Sequence, residues 1–346
     1  MKILIIGGTK FLGRHLIDAA VQNGHEVTLF NRGKKYADEA IPDVEQIHGD
    51  RNSDLEKLSG KSWDAVIDTC GYLPQTVKAS AEFFKDKVSQ YVFISSGSVY
   101  TEISEPNYDE STKTATFSEE QRKEVEKIDP KGELTGAVLG ENYGALKRLC
   151  EEAAESAMPN RVLNVRAGMI VGAFDPTDRF TYWVMRVAQG GEVLAPGTPE
   201  NPSELIDARD LSEWIIKMIE ENESGIFNVT SKQFEITFAK MLEAMKNASG
   251  SDAEFVWADE SFLTENNVAP WSDMPFYLPE SDEKFRHFLT MNVDKALSKG
   301  LKFRPLEETV TDVLNWRKTH NEEMKAGISI EREKELLKKW HEQNKQ

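Results

Sequence analysis

The sequence predicts an α/β fold built on a doubly wound parallel sheet, with a smaller C-terminal α/β part. Three observations carry this prediction. Lys2-Ile3-Leu4-Ile5-Ile6 is a short apolar, β-branched run of the kind covered on both faces of a sheet. It ends in a glycine turn, Gly7-Gly8-Thr9-Lys10-Phe11-Leu12-Gly13, that opens directly into a helical pattern. Further strand patterns then alternate with helical ones, which makes the strands parallel and the crossovers right-handed.

In chain order, the first helix carries Phe11, Leu12, Leu16, Ile17, Ala19 and Ala20 at helical spacing until Asn23-Gly24 stops it. Strand two is Glu26 to Phe30, strand three Val44 to His48, and strand four Asp64 to Asp68. A helix from Gln75 to Phe84 leads to strand five, Gln90 to Ser95. Thr101 to Gly140 is acidic and carries Pro106 and Pro130, so a surface excursion with a helix near Ser118 to Lys127 is expected. A helix opens at Glu141, and strand six is Arg161 to Arg166. Farther on, Gly225 to Val229 and Ala253 to Trp257 read as strands, and Phe234 to Asn247 as a helix. Asn292 to Lys299 and Leu306 to Trp316 read as closing helices. Near Glu204 to Leu211, Asp210 is expected to cap a helix. Ala269 to Pro279 is irregular and aromatic, suited to a pocket wall or lid, or to simple loop packing. From Lys318 the chain turns charged, and Ile330 to Trp340 forms a helix whose Leu336, Leu337 and Trp340 either dock on the body or fray. The division expected is 1–170 for dinucleotide binding, 171–317 mainly for substrate with segments returning to the main sheet, and 318–346 as a charged helical tail.

Apolar residues at 39% and charged ones at 29% describe a soluble globular chain. The aliphatic runs are too short to cross a bilayer, and the N-terminus lacks the features of a signal peptide, so a cytoplasmic location is expected. A formal charge of −17 argues against nucleic acid as the main partner, since phosphate binding needs a basic surface. Cys70 and Cys150 suggest neither disulfides nor a metal knuckle, and the six histidines form no ligand pair, so no metal is expected.

The glycine turn brings backbone N–H groups close to a pyrophosphate at the positive end of a helix, and Gly13 permits close helix–strand packing. Gly7, Lys10 and Gly13 are evenly spaced. Lys10 crowds the place where phosphate comes nearest, yet a lysine also reaches a phosphate oxygen. Strand two ends in Asn31-Arg32-Gly33-Lys34-Lys35, where an acidic residue would hold the ribose hydroxyls of NAD; Asn31 repels no 2′-phosphate and Arg32 can fork onto one, favouring NADP. The alternative is a solvated basic loop. Asp50 either accepts the adenine amine or caps the following helix. Cys70, with no basic partner nearby in sequence, is a small packing residue in the loop Thr69-Cys70-Gly71-Tyr72 over the cofactor. Ser95, Ser96 and Ser98 end strand five, where ligands of such sheets bind. Tyr143 and Lys147 stand four apart on one helical face, and a neighbouring ammonium favours the phenolate; alone, the pair reads equally as a surface contact.

In combination these motifs resemble the extended short-chain dehydrogenase/reductase superfamily over roughly residues 1 to 315. More narrowly, the chain looks like the NAD-dependent epimerase/dehydratase family, 2′-hydroxyisoflavone reductase-like branch. The supporting stretches are Gly7 to Gly13, Phe30 to Gly33, Gly49-Asp50-Arg51, Asp68 to Tyr72 and Tyr143 to Lys147. The resemblance implies a Rossmann fold. It implies Tyr143 as general acid/base, Lys147 as the residue that tunes it and holds the nicotinamide ribose, and Ser96 orienting a carbonyl or alcohol. It implies cofactor contacts from Gly7, Thr9, Lys10, Phe11, Leu12, Gly13, Asn31, Arg32, Asp50, Arg51, Cys70, Gly71, Ser95, Lys147, Ala167 and Met169. Ser98, Arg179, Tyr182 and Trp271 are substrate-side candidates, with Arg179 suited to an anion or to a salt bridge. The expected chemistry is NADP- or NAD-dependent oxidoreduction of a small carbonyl, alcohol or sugar nucleotide. The rivals are sugar-nucleotide epimerisation and a cofactor-binding sensor or RNA-associated protein without turnover. Dehydratases of the family add an Asp-Glu pair after the serine; here Gly97 and Ser98 stand there, against sugar dehydration. Extended relatives commonly pair through two helices each, so a homodimer is possible.

Overall fold

A computed structural model describes residues 1–33, 44–130 and 134–344. The strands in chain order are β1 (Lys2–Ile6), β2 (Glu26–Asn31), β3 (Glu45–His48), β4 (Ala65–Asp68), β5 (Gln90–Ile94) and β6 (Val162–Ala167). There follow β7 (Ile170–Val171), β8 (Glu192–Pro196), β9 (Ile206–Asp207), β10 (Gly225–Val229) and β11 (Glu254–Ala258). The helices begin with α1 (Leu12–Gln22), α2 (Pro74–Phe84), α3 (Glu119–Glu126), α4 (Gly136–Leu139), α5 (Tyr143–Ala157) and α6 (Arg179–Ala188). They end with α7 (Ala208–Glu220), α8 (Phe238–Ser249), α9 (Glu260–Glu265), α10 (Asp294–Ser298), α11 (Leu306–Arg317) and α12 (Ile330–Gln343).

The described residues form a seven-stranded parallel sheet in the order β10-β6-β5-β4-β1-β2-β3. The pleat of each strand alternates side chains between two covered faces. Ile3 and Ile5 of β1 pack with Leu16, Ile17 and the α7 residues Leu211, Trp214 and Ile215. Leu4 and Ile6 pack on the other face with Val77, Ala81 and Phe84 of α2 and Cys150 and Ala154 of α5. Burying each such aliphatic side chain contributes about 1.5–3 kcal/mol. The chain leaves β1 toward β2 and β3, then returns on the other side of β1 as β4, so the strand order reverses beside β1 and a crevice opens at the carboxyl ends of the strands.

A second core lies in the C-terminal part, where Phe180, Trp183, Phe238, Met241 and Phe276 pack with the two-stranded sheet of β8 and β11. Three helices and strands of this core went unread in the sequence: β8, a short run between glycines and prolines, α6, whose aromatic face looks like pocket lining, and the six-residue α9, which buries Phe262 and Leu263. Helix α8 begins at Phe238, with Thr237 capping it, because Thr237 Oγ1 accepts the Lys240 N–H at 3.2 Å. The cap of α7 is Asp207, which accepts the Arg209 N–H at 2.7 Å, and not Asp210; the latter accepts the Arg304 N–H at 2.9 Å. The tail helix α12 docks. Its Leu336 and Leu337 are buried, and Glu333 pairs with Arg186 while accepting the Leu194 N–H at 2.9 Å.

Glu204, 2% exposed just before β9, accepts the Met291 N–H and has no basic partner among the described residues. Burial pushes its carboxyl well above the usual range. The folded state therefore holds a proton that the unfolded chain releases above about pH 4.5, and stability falls as pH rises through that window. Glu204→Gln keeps the acceptor and removes the titration. It is expected to be more stable than the parent in urea melts at pH 8, with the difference between the two growing by up to ~1.4 kcal/mol per pH unit. Equal pH dependence of parent and variant would contradict this assignment.

Candidate active site

The crevice holds a cleft of about 550 Å³ lined by the carboxyl ends of β1, β2, β5 and β6, the loop after β4 and the start of α5. Gly7, Thr9, Lys10, Phe11, Leu12 and Gly13 form its floor. Gly13 is there because a Cβ would fall 2.4 Å from the Gly8 Cα, so only glycine lets α1 start against the turn. Phe11, at φ 35°, precedes α1, whose N-terminus has no side-chain cap. An uncapped helix N-terminus over a glycine cradle suits a pyrophosphate.

Asn31 and Arg32 line one end of the cleft. Asn31 Oδ1 accepts the Gly33 N–H at 2.9 Å, and its buried Nδ2 has no partner among the described residues, so this end offers a donor and an exposed guanidinium. Lys34 and Lys35 lie outside the described residues. Asp50 lines the same end but caps no helix. Its Oδ1 accepts the N–H of Asn52 at 2.9 Å and the Asn52 side-chain amide at 3.0 Å, and the short turn of helix at Leu55–Leu58 follows Asp54 instead. Arg51 also lines the cleft, and its guanidinium donates to both carboxylate oxygens of fully buried Asp68 at 2.6 Å and to Ser80 at 2.8 Å. Cys70 lines the cleft, and burial raises its thiol, which marks it as a wall and not a nucleophile.

The far end brings Ser96, Tyr143 and Lys147 to one cleft. Ser96 Oγ accepts the Ser98 N–H at 3.1 Å, leaving its own proton to donate. Tyr143 heads α5 and is half-buried. Gly144 sets how near it comes: a Cβ there would lie 1.8 Å from the Ser98 carbonyl oxygen. Lys147 is 3% exposed and donates to the carbonyls of Gly71 at 2.9 Å and Ile94 at 2.7 Å, with one N–H left over. Gly71 thus serves through its carbonyl and does not line the cleft. Ser95 lines it but commits its hydroxyl to Glu151 at 2.6 Å, and Glu151 in turn pairs with buried Arg166 at 2.8 Å. Tyr72, not singled out in the sequence, sits beside Lys147 and Tyr143; burial first, and then the Tyr143 and Cys70 charges, raise its hydroxyl, so it keeps its proton.

Ala167 lines the cleft, whereas Met169 packs against the second core. Ser98 contributes its amide to Ser96 and its carbonyl to the Gly144 contact, outside the lining. Tyr182 is 6% exposed in the second core, packs on Gly327 and does not line the cleft. Trp271 stands outside the cleft wall and carries Arg179, whose guanidinium lies 5.1 Å over its ring. Leu134, Thr135 and Pro176 also line the cleft. The first two come from the acidic excursion, where no periodic pattern marks them. Among the described residues no group of His, Cys, Asp and Glu can hold a metal, and no helix is long and apolar enough to cross a membrane.

A parallel sheet with a glycine cradle at its crevice and a Ser, Tyr and Lys at the cleft's other end defines a dinucleotide-dependent enzyme of the Rossmann class. The chain belongs to the NAD-dependent epimerase/dehydratase family, whose model matches residues 3–230. Among curated proteins it is 26% identical over 324 residues to the chloroplast stem-loop binding protein of 41 kDa b of Arabidopsis thaliana, covering 87% of this chain and 77% of that one. Its fold is similar to that of a putative epimerase from Burkholderia cenocepacia, at TM-score 0.66 and 18% identity over 92% of this chain and 98% of that one. It is likewise similar to the UDP-glucuronic acid 4-epimerase of Bacillus cereus solved with NAD, at TM-score 0.63 and 17% identity over 93% and 100% of the two chains.

Proposed function

We propose that this chain is an NADP-preferring oxidoreductase acting at a carbonyl or alcohol carbon. The observation that carries the reading is the convergence of Ser96, Tyr143 and Lys147 on the end of the cleft opposite Asn31 and Arg32. Gly7 to Gly13 and α1 would hold the cofactor's pyrophosphate, and Asn31 and Arg32 its adenine-side ribose and 2′-phosphate. The nicotinamide, when bound, supplies hydride exchange at the substrate carbon. Ser96 donates a hydrogen bond to the substrate oxygen. Tyr143 moves the proton at that same oxygen, and Lys147, anchored on two carbonyls, keeps a positive charge beside the reaction.

The cofactor end is tested by fluorescence titration with NADPH and NADH. Arg32→Ala is expected to weaken NADPH by about 10- to 100-fold, the worth of a charge-assisted phosphate contact, and to leave NADH little changed. Equal loss for both would remove the NADP preference. The fold likeness to sugar-nucleotide epimerases favours a second reading, epimerisation with the same residues and no net change in cofactor. A sugar nucleotide inverted without reduced cofactor appearing in solution would select it. The name of the Arabidopsis relative raises RNA binding as well, which the −17 charge opposes; retention of a stem-loop RNA at physiological salt would reverse that ranking.

A further inference from the structure

Arg179, at the start of α6, is half-buried, and among the described residues it makes no hydrogen bond and no ion pair. Its one close neighbour of note is a ring. The guanidinium lies 5.1 Å over the centroid of Trp271, a residue held at φ 66° with its N–H donating to the Tyr277 carbonyl at 3.2 Å. The platform is tied together by the tail. Lys325 donates from its amide to Asp178 at 3.2 Å and from Nζ to the Pro176 carbonyl at 2.9 Å, and the Gly327 N–H reaches the Ser272 carbonyl at 3.0 Å. The chain neighbours of both Arg179 and Trp271 are therefore held by one segment of the tail, Lys325 to Gly327.

Two acidic or phenolic groups feel the Arg179 charge, Asp175 and Tyr143. Asp175 is no counter-ion in contact. Its carboxylate is taken by the Thr177 N–H at 2.9 Å and the Thr177 hydroxyl at 2.8 Å, and it forms no ion pair with the guanidinium. Tyr143 is the group proposed to move the proton, and Pro176, three residues before Arg179, lines the same cleft. A partly desolvated guanidinium without a partner is costly, and its planar fork of donors fits a carboxylate or phosphate. Such a cation beside the reacting end of a cleft is completed by an anion that the ligand brings.

We propose that Arg179, laid on Trp271, recognises a carboxylate or phosphate carried by the reacting part of the substrate, close to the oxygen that Tyr143 serves. This rests on reading Tyr143 as the general acid/base. It narrows the substrate class to acidic carbonyls and alcohols, with the charge on the portion being turned over and not only on a distant nucleotide.

The test is calorimetric titration of the full chain, loaded with cofactor, using matched acid and neutral probes. The pairs are UDP-glucuronate against UDP-glucose, glucuronate against glucose, and glucose 6-phosphate against glucose. In at least one pair the acid is expected to bind tenfold or more tightly than its neutral partner. Arg179→Gln should abolish that preference, Arg179→Lys should restore part of it, and Trp271→Leu, which keeps the arginine, should weaken the acid several-fold while sparing the neutral probe. If no acid outbinds its partner, or if the preference survives Arg179→Gln, the inference is overturned. Tyr143→Phe separates the two readings: it should leave the acid preference in binding intact, whereas unchanged turnover in that variant would sink the role of Tyr143 and not the anion site.

Discussion

Tyr143→Phe is expected to reduce turnover by about 10²–10⁴-fold, the range associated with a positioned general acid/base, while changing cofactor affinity little. The phenol oxygen makes no protein hydrogen bond among the described residues, so its loss strands no partner, and the ring keeps its packing against Gly136. The effect should therefore fall on the chemical step. In steady-state terms kcat and kcat/KM drop together, as for an interaction made only in the transition state. Tyr72 cannot substitute, because burial holds its hydroxyl protonated beside Lys147. Single-turnover measurements would show a slow proton-coupled step; a variant that turns over at the parent rate would move the acid/base role elsewhere in the cleft.

The largest stability effect is expected at the pair of Arg51, in the cleft wall, with Asp68. Asp68 is completely buried and accepts from Arg51 twice, from Tyr91 at 2.7 Å and from the Cys70 N–H at 3.1 Å. Asp68→Asn keeps the shape but leaves a buried guanidinium without its counter-charge, a loss of about 3–5 kcal/mol. Replacing both partners, Arg51→Met with Asp68→Leu, should recover much of it, since no buried charge is then left alone. Burial by itself would raise the Asp68 carboxyl, but the Arg51 charge and its hydrogen bonds more than reverse this and hold it below the usual range. The pair's stabilisation is thus complete above about pH 4 and is lost as pH falls through the depressed value. Urea midpoints should accordingly show the parent and Asp68→Asn far apart at pH 7 and converging in acid. A constant gap across pH would mean that shape, not charge, sets the cost.

Much of this molecule is local pattern, and local pattern is legible. The run Lys2 to Ile6, the turn Gly7 to Gly13 and the apolar spacing of α1 specify strand, cradle and helix within two dozen residues, because pleat and helix periods are written at short range. The same holds for Ser96 at the end of β5 and for Tyr143 and Lys147 one turn apart on α5. Where the sequence was ambiguous, the ambiguity was one of partners. Ser95 and Ser96 are neighbours with the same chemistry and both line the cleft, yet the Ser95 hydroxyl is taken by Glu151. Tyr182 and Tyr143 are both tyrosines near a helix start, and only packing separates the core residue from the site residue.

The succession of strands and helices along the chain, the glycine cradle and the candidate Ser, Tyr and Lys were legible in the sequence alone, since each depends on spacing along the chain. Tertiary structure alone decided that position 144 must be glycine against the Ser98 carbonyl, that Arg51 in the cleft wall meets Asp68, and that Arg179 faces Trp271 with no counter-ion among the described residues. Those are contacts between segments 17 to 92 residues apart, and burial and charge compensation are properties of what is near in space, which no window of sequence contains.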